Sequence, residues 1–405
     1  MKTTIRLRRR GFSPQNWLKD KSVRAVALPF LITRFLVIAI LILTSNFELK
    51  FPERHFGTDP SETQIELSPG SAVDQLRRVA IQADGGWLYL VAQNGYDPGP
   101  FNSAETHNWA FLPLYPMLWR AFAFVTGGYA LTGLVLSTLL FFGALVVLHK
   151  AALAFIGDDA IANRVAFYTA IFPLSYFYSL PRTESLFLLL SAGAFLAAKK
   201  DNWASAGICG CLAAVTRVNG ILLLPALVIL FFEIGKSFRP DARLVWLSLI
   251  PAGLIGQMLY LRSLTGNALA FLDIQAAWGH TSRLFLSPLV EYVESPGMII
   301  RNWDLRSLNF IVAVLVITCA IVLARRKEWA FAFYSLACIV APLSATAPNS
   351  MQSIGRYGMV LFPVFFVLAR AGSSRVFDQT VKLTFLTFLG ILTACYGLVL
   401  TFALS

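Results

Sequence analysis

The chain has 405 residues, of which 57% are hydrophobic and only 14% are charged. A water-soluble domain of this length needs many more charged side chains on its surface, so the composition excludes an ordinary globular protein. The net charge of +12 does not indicate nucleic-acid binding, because much of the basic charge flanks apolar segments, where it fixes the orientation of membrane spans.

The first apolar run covers about residues 23–44 and follows a basic N-terminal flank. It is too long for the core of a signal peptide and has no convincing cleavage site. We interpret it as a first membrane span whose N-terminus is cytoplasmic.

Eleven further apolar runs follow, and the first of them is open to a re-entrant interpretation. They lie at about 109–125, 129–154, 161–180, 184–198, 203–216, 220–232, 244–261, 308–323, 329–345, 357–369 and 383–404. The pattern predicts an all-α polytopic membrane protein with about 11 transmembrane helices. We treat residues 1–405 as a single transmembrane domain.

Two long polar segments interrupt the apolar runs, at about 47–108 and 265–306. With a cytoplasmic N-terminus, the short inside loops carry most of the lysine and arginine, for example Lys199, Lys200 and Arg325. This distribution obeys the positive-inside rule. Both long polar segments are then outer loops. The compact loops and the lack of sorting signals suit a bacterial inner membrane, and an endoplasmic-reticulum membrane stays open as an alternative.

Several ionisable or polar residues fall on the outer side, where positive charge gains nothing from topology. At or near outer span ends lie Arg182, Glu184, Arg217, Asn219 and Arg356, and the outer loops add Asp84, His107, His280 and Arg283. Each arginine alone is equally well explained by contact with lipid head groups. Several arginines that converge with a carboxylate favour a site for an anion.

The segment 83–96 contains the most informative carboxylate, Asp84. Trp87, Leu90 and Val91 share one face of a short helix, which Asn94 and Gly95 would end. Asp84 stands where an N-cap residue would stand, so one interpretation is that it only accepts amide hydrogen bonds. The other interpretation is a functional carboxylate at the membrane surface.

The motif ADGGWLYLVAQNGYD, followed by WAFLPLYPMLWR, resembles the PIG-V mannosyltransferase family, which belongs to the GT-C superfamily of membrane glycosyltransferases. The likeness continues in order through most of the chain. It includes Phe172-Pro173, RTESLFLLLSA (182–192), TRVNG (216–220), AFLDIQAAWGH (270–280) and GRYGMVLFPVFFVLA (355–369). The chain departs from the family at Ala83, at Arg182-Thr183 and at His280, which bears on the substrate more than on the reaction class.

The resemblance implies a GT-C-like fold, with short interfacial helices in the outer loops, and an inverting sugar transfer at the non-cytoplasmic face. The donor would be a polyprenyl-phosphate sugar, with mannose implied, and the acceptor a lipid or glycan. An inverting transfer needs a base for the acceptor hydroxyl and positive groups on the departing phosphate. We assign Asp84 as the base and Arg217 and Arg356 as the phosphate ligands.

Further site residues are assigned on the same grounds. His280 would assist at the phosphate, Glu184 would orient an arginine or a sugar hydroxyl, and Trp278 would stack on a sugar. Asn219 and Arg182 complete the predicted substrate-binding set. Alternatively, Arg182 and Glu184 form a local pair at a span end. We interpret Trp109, Tyr115 and Trp119 first as interfacial aromatics.

The sequence does not support a metal site or a cofactor, although a divalent metal ion is not excluded. The five cysteines lie in apolar segments and match no zinc spacing, and the four histidines contain no HExxH pair. Two alternative functions stay open: a transporter or flippase of a lipid-linked substrate, and a membrane acyl- or phosphotransferase. The chain shows no internal repeat of the kind that marks secondary transporters.

Overall fold

A computed structural model describes residues 20–45, 71–235, 241–295, 305–347 and 350–398, and within these ranges the chain forms helices and no strands. The α-helices are α1 (Lys21–Thr44), α2 (Ala72–Ala80), α3 (Asp84–Asn94), α4 (Leu114–Thr126), α5 (Ala130–Ile156), α6 (Asp159–Ile171), α7 (Glu184–Lys199), α8 (Trp203–Ala214), α9 (Leu223–Gly235), α10 (Leu249–Thr265), α11 (Ala270–Asp273), α12 (Ser287–Glu294), α13 (Arg306–Arg325), α14 (Trp329–Leu343), α15 (Ile354–Met359), α16 (Phe362–Ala371) and α17 (Arg375–Gly397). Short 3-10 helices occur at Asn108–Ala110, Ser175–Ser179, Val218–Leu222, Ala242–Ser248 and Ile274–Trp278. The predicted basic flank 1–19, much of the first outer loop and residues 296–304 of the second lie outside the described residues.

The described helices confirm the all-α polytopic membrane architecture. Within the described residues, six segments are long and apolar enough to cross a membrane: Lys21–Thr44, Ala130–Ile156, Val218–Gly235, Ala242–Thr265, Arg306–Arg325 and Arg375–Gly397. Three shorter apolar helices join them, at Trp203–Ala214, Trp329–Leu343 and Phe362–Ala371. Both long polar segments carry short helices, α2 and α3 in the first and α11 and α12 in the second.

Two predicted spans are broken where prolines occur. The run at 161–180 ends as a helix at Ile171 and continues as an irregular segment with a short 3-10 turn. Phe172 precedes Pro173, and a residue before proline is disfavoured in the α conformation. The run at 357–369 is likewise divided, and Pro363 lies in the first turn of α16, where its missing amide hydrogen costs nothing.

The aromatic residues Trp109, Tyr115 and Trp119 lie in the protein interior, each at most 1% exposed. The interfacial interpretation of these three residues is therefore wrong. Each polar tip has a partner inside the protein: the two indoles donate to backbone carbonyls and the phenol pairs with the Ser137 hydroxyl. With its polar tip satisfied, a large aromatic residue packs as core.

The two ends of α1 lie at opposite ends of the helix bundle. At its N-terminal end, Lys21 forms an ion pair with Asp159 at 2.6 Å. At its C-terminal end, Arg78 of α2 donates to the carbonyl of Ser45, and the turn after α2 leads directly to Asp84. The Asp84 turn is therefore at the end of the bundle away from the start of α1.

Candidate active site

A cavity of about 220 Å³ lies between the Asp84 turn, the segment after α8, the second long loop and the start of α15. Its polar and aromatic lining residues are Asp84, Phe111, Thr183, Thr216, Arg217, Asn219, Gln275, Trp278, His280, Gln352, Ser353, Arg356 and Tyr357. Six of the eight predicted site residues thus share one cavity, although they come from distant parts of the chain. The other two, Arg182 and Glu184, lie behind its wall.

Asp84 is presented by a strained turn between α2 and α3. Ala83 has φ 48° and ψ −128°, a conformation that residues with a Cβ rarely adopt and that type II′ turns use at their first central position. The amide of Gly85 donates to the carbonyl of Gln82 at 3.0 Å and closes the turn. A Cβ at position 85 would clash with the carbonyl oxygen of Ala80, so the turn requires glycine there.

Asp84 is the first residue of α3, and Ala83 occupies the N-cap position without a side-chain cap bond. The interpretation of Asp84 as a mere helix cap is therefore wrong. Its carboxylate is about one-third exposed, at 35%, and faces the cavity. The helix ends at Asn94 with Gly95 at φ 88°, as the sequence predicts.

Two arginines hold the Asp84 carboxylate. Arg182 Nη1 lies 3.1 Å from its Oδ2, and Arg356 Nη1 donates a hydrogen bond to the same oxygen. Burial by itself raises the pKa of Asp84, but the positive charges of Arg356 and Arg182 outweigh burial and lower this pKa to about 2. Asp84 is therefore ionised at neutral pH.

Glu184, at the start of α7, is fully buried and binds Arg356 and Arg217. Its Oε1 accepts hydrogen bonds from Arg356 Nε at 2.9 Å, from Arg356 Nη2 at 2.6 Å and from Arg217 Nη1 at 3.0 Å. Its Oε2 has no hydrogen-bond partner among the described residues. Arg182 pairs with Asp84 instead, so the local Arg182–Glu184 pair is not formed.

Asp84, Arg182, Glu184, Arg217 and Arg356 thus form one arginine–carboxylate cluster. Three guanidinium groups and two carboxylates leave one formal positive charge. Arg356 joins the two carboxylates, and the side chains of Arg356 and Arg217 are 7% and 10% exposed. A desolvated cluster with surplus positive charge beside a cavity suits an anionic ligand, because a guanidinium group can bind two phosphate oxygens at once.

Aromatic rings orient the guanidinium groups of the cluster. The ring centre of Phe177 lies 5.1 Å from Cζ of Arg182 and 5.0 Å from Cζ of Arg356. Tyr357 lies 4.6 Å from Arg217. Cation–π contacts of this kind fix the planes of the arginines in addition to their hydrogen bonds.

The segment 216–220 explains how Arg217 reaches the cavity. Helix α8 ends at Ala214, and Arg217 is extended before the 3-10 turn Val218–Leu222. Gly220 packs against the backbone of Ala213 so closely that any Cβ would clash. Asn219 donates from its Nδ2 to the carbonyl of Cys338 at 3.0 Å, which ties the segment to α14.

Part of the cavity wall belongs to the second long loop. Trp278 packs edge-to-face on Trp87 with ring centres 5.3 Å apart, and its buried Nε1 has no partner among the described residues. His280 Nδ1 lies 2.6 Å from the carbonyl oxygen of Ala345. A carbonyl only accepts, so Nδ1 carries a proton and a neutral His280 keeps Nε2 as an acceptor.

The remaining outer-side residues lie away from this cavity. His107 stacks on Trp109 at 4.1 Å, with its Nδ1 3.3 Å from Asp97. Arg283 forms an ion pair with Glu291 in the second long loop. In the described part of the chain, no three histidine, cysteine, aspartate or glutamate side chains converge to hold a metal ion.

Sequence reasoning missed the residues that support the cluster. Nothing in the local sequence singles out Phe177 as the ring beneath two arginines, or Gln352 and Ser353 as cavity residues. Gln275 lies inside the motif 270–280, so this motif could have indicated Gln275 as a residue of the cavity wall.

Comparison with known proteins supports the architecture. The archaeal oligosaccharyltransferase AglB from Archaeoglobus fulgidus, solved with an inhibitory peptide and a dolichol-phosphate, matches with a TM-score of 0.50 and 12% identity. The match covers 93% of this chain and 56% of that chain. The fold is of the GT-C type.

A second structure, ArnT from Cupriavidus metallidurans bound to undecaprenyl phosphate, has a TM-score of 0.49 and 11% identity over 97% of this chain and 77% of that chain. The chain thus spans just over half of AglB and about three quarters of ArnT. No protein-family model matches the chain, and no curated protein does either. At these identities the likeness concerns the GT-C-type fold alone.

Proposed function

We propose that this integral membrane protein is a glycosyltransferase that moves a sugar from a polyprenyl-phosphate donor to an acceptor hydroxyl, with inversion. The observation that carries the proposal is the arginine–carboxylate cluster, which places Asp84, Arg217 and Arg356 on the same cavity. The AglB structure contains a dolichol-phosphate, and the proposal extends that ligand chemistry to the present chain. Mannose is the sugar that the sequence resemblance implies.

In the proposed transfer step, one bond forms at the anomeric carbon and one bond breaks there. The acceptor oxygen bonds to the anomeric carbon, and the bond from that carbon to the phosphate oxygen breaks. The electron pair leaves with the polyprenyl phosphate, whose charge Arg217 and Arg356 stabilise. The hydroxyl proton passes to the Asp84 carboxylate.

Arg356 has a second task in this proposal. While it donates to Asp84, that carboxylate is a weak base, since its pKa is about 2. An efficient base has a pKa closer to the working pH. A donor phosphate draws Arg356 towards itself, which weakens its contact with Asp84 and raises the proton affinity of the carboxylate. Donor binding therefore activates the base.

The lining residues outside the cluster provide the sugar subsite in this scheme. Trp278 offers its ring, and Asn219 and Gln275 offer amide groups. His280 offers Nε2 as an acceptor for a hydroxyl, or as a donor to phosphate when it is protonated. Glu184 and Arg182 act behind the wall by orienting Arg356, Arg217 and Asp84.

We place the cavity on the non-cytoplasmic face of a bacterial inner membrane. Its support is the position of the Asp84 turn at the end of the bundle away from the start of α1. Helix α7 also starts at the cavity with Glu184 and ends at Lys199 and Lys200. Membrane-impermeant labelling of single cysteines introduced beside Glu105 and beside Lys200 tests this orientation, with labelling from outside expected only at the first.

The decisive experiment is transfer from labelled polyprenyl-phosphate mannose by the purified wild type and Asp84→Asn. We expect transfer by the wild type and its loss in the variant while the variant still binds the donor. Donor binding without transfer by the wild type, across several sugars and acceptors, contradicts the enzyme proposal. Lipid scrambling by the protein in vesicles would then favour the flippase.

A further inference from the structure

Arg34 is a buried arginine near the middle of α1 that has no place in the mechanism above. Arg34 is 3% exposed, and α1 is one of the six described segments able to cross the membrane. An ionisable side chain inside a span is costly and is retained where it has a specific role. The surroundings of Arg34 indicate what that role is.

All five N–H groups of the Arg34 guanidinium donate to carbonyl or hydroxyl oxygens. Nη1 donates to the Ser175 carbonyl at 2.7 Å and to Ser179 Oγ at 3.1 Å, and Nη2 donates to the Ala170 carbonyl at 3.0 Å and to Ser175 Oγ at 2.9 Å. Nε reaches Thr33 Oγ1 at 3.4 Å. Apart from this last contact, the acceptors belong to the end of α6 and to the irregular segment after it.

That segment needs such a partner because it is irregular backbone inside a membrane protein. Helix α6 ends at Ile171, which leaves its last carbonyls without intrahelical partners, and residues 172–183 are buried. Backbone groups at this depth must be satisfied by the protein itself. A cation at the C-terminal end of a helix is also favoured by the helix dipole. Arg34 provides hydrogen-bond donors to this backbone and a positive charge at the end of α6.

The same segment carries the support of the arginine–carboxylate cluster. Phe177 lies beneath Arg182 and Arg356, and Thr183 accepts a hydrogen bond from Arg217 at 3.1 Å. The segment then ends at Glu184. A shift of this segment therefore changes the contacts that position all three arginines of the cluster.

A second route leads from Arg34 to Arg356. The Arg34 guanidinium lies 4.8 Å from the Phe141 ring, which stacks on Tyr178 with ring centres 4.3 Å apart. The Tyr178 hydroxyl donates to the carbonyl of Met359 at 2.6 Å. Met359 is the last residue of α15, the short helix that carries Arg356.

We propose that Arg34 is a positioning residue, which holds the broken segment 172–183 and thereby sets the geometry of the arginine–carboxylate cluster. Its effect on sugar transfer rests on the proposed function, but its effect on the cluster does not. A lysine would keep the charge and lose the role, because three donors on one nitrogen cannot replace a planar fork with five.

The test compares Arg34→Lys with Phe35→Ala, a matched control on the neighbouring residue of α1, whose side chain is 77% exposed. Hydrogen–deuterium exchange of the ligand-free protein measures whether Arg34 holds these segments in place. We expect faster exchange in peptides that cover 172–183 and 354–359 for Arg34→Lys, and no change there for Phe35→Ala. Unchanged exchange in both regions overturns the proposal.

Function is read as binding of a short-chain polyprenyl phosphate and as transfer. We expect Arg34→Lys to weaken phosphate binding and to lower kcat, each by roughly 10- to 100-fold, as displacement of a binding group by about 1 Å does. Glu184→Gln supplies the decisive comparison. If Arg34 acts through the cluster, Arg34→Lys has little further effect in the Glu184→Gln background, whereas independent effects would multiply and refute the coupling.

A variant that fails to fold does not end the test. Ser179→Ala removes one acceptor of Arg34 Nη1 and leaves the arginine and the helix intact. We expect the same direction of change in exchange and in phosphate affinity, at about threefold to tenfold. Wild-type values for both measurements would overturn the proposal. If the wild type binds the phosphate but transfers no sugar, the proposed function fails while exchange and binding still decide the role of Arg34.

Discussion

Replacing Asp84 with asparagine should strengthen phosphate binding while it abolishes transfer. In the ligand-free protein, Asp84 and Glu184 share Arg356, so the carboxylate competes with any phosphate for that arginine. Asparagine keeps the size of the side chain and an acceptor oxygen but removes the negative charge. The formal charge of the cluster then rises from one to two.

The size of the effect follows from Coulomb's law. A phosphate that binds Arg356 next to Asp84 would lie roughly 6 Å from the carboxylate, and at an effective dielectric constant of about 20 two unit charges repel by ~3 kcal/mol. Asp84 is 35% exposed, so solvent screening reduces this to about 1–2 kcal/mol. The affinity for a sugar-free polyprenyl phosphate should therefore rise by about 5- to 30-fold.

The assay is calorimetric titration of a short-chain polyprenyl phosphate into detergent-solubilised protein, beside a transfer assay with labelled donor. Asp97→Asn is the matched control, because Asp97 lies in the same outer loop but pairs with His107 outside the cavity. Loss of the base should lower transfer by roughly 10²- to 10⁴-fold. A folded Asp84→Asn variant with unchanged or weaker phosphate affinity would refute the competition, and one that retains transfer would refute the assignment of the base.

Three further outcomes are expected. Arg217→Gln should weaken polyprenyl-phosphate binding by roughly 10- to 100-fold, since it removes a charged hydrogen-bond donor. The control Arg120→Gln should leave this binding unchanged, because the described hydrogen bond of Arg120 goes to a backbone carbonyl. Equal affinities of the two variants would contradict the role of Arg217. The profile of kcat/KM should show no acid limb from Asp84 above about pH 4, because the lowered pKa of about 2 keeps the carboxylate of the free protein charged. The profile of kcat reports the donor complex, so its acid limb, where kcat falls as the pH is lowered, should lie at a higher pH. Identical acid limbs in both profiles would count against activation by the donor. Gly85→Ala should lower both transfer and thermal stability through its clash with the backbone, and Gly128→Ala, where nothing lies within 4 Å, should change neither; a wild-type Gly85→Ala protein would show that the turn is not needed.

The membrane architecture and the main cavity residues could be predicted from the sequence because both depend on simple regularities. Apolar runs of span length and the positive-inside rule together isolate Asp84, Arg217 and Arg356 as residues that topology does not explain. The structure places these three side chains on one cavity. Their roles in transfer stay predictions.

The pairing inside the cluster could not be predicted, since it joins residues that are far apart in the chain. Arg356 contacts Glu184 and Asp84 across 172 and 272 positions. Sequence proximity instead suggested a pair between Arg182 and Glu184. Long-range contacts of this kind depend on helix packing, which the span pattern does not fix.

Other features of the structure do have a signal in the sequence. Pro173 marks the break after α6, although the run at 161–180 was predicted as one span. Arg34 is an arginine inside an otherwise apolar run, which is by itself an indication of a specific role. The buried Trp109 shows the opposite case, because an aromatic residue with a polar tip suits both a membrane interface and a protein core.

The cluster is better explained by ligand binding than by stability. Burying an ion pair costs about as much as the pair returns, so a purely structural cluster gains little over apolar side chains. This cluster also carries surplus positive charge and depends on the strained Ala83. Both features are unfavourable in the ligand-free protein. An anion in the cavity offsets the first directly, and the strain at Ala83 serves to hold Asp84 at that same cavity, so we infer that the cluster is completed by its ligand.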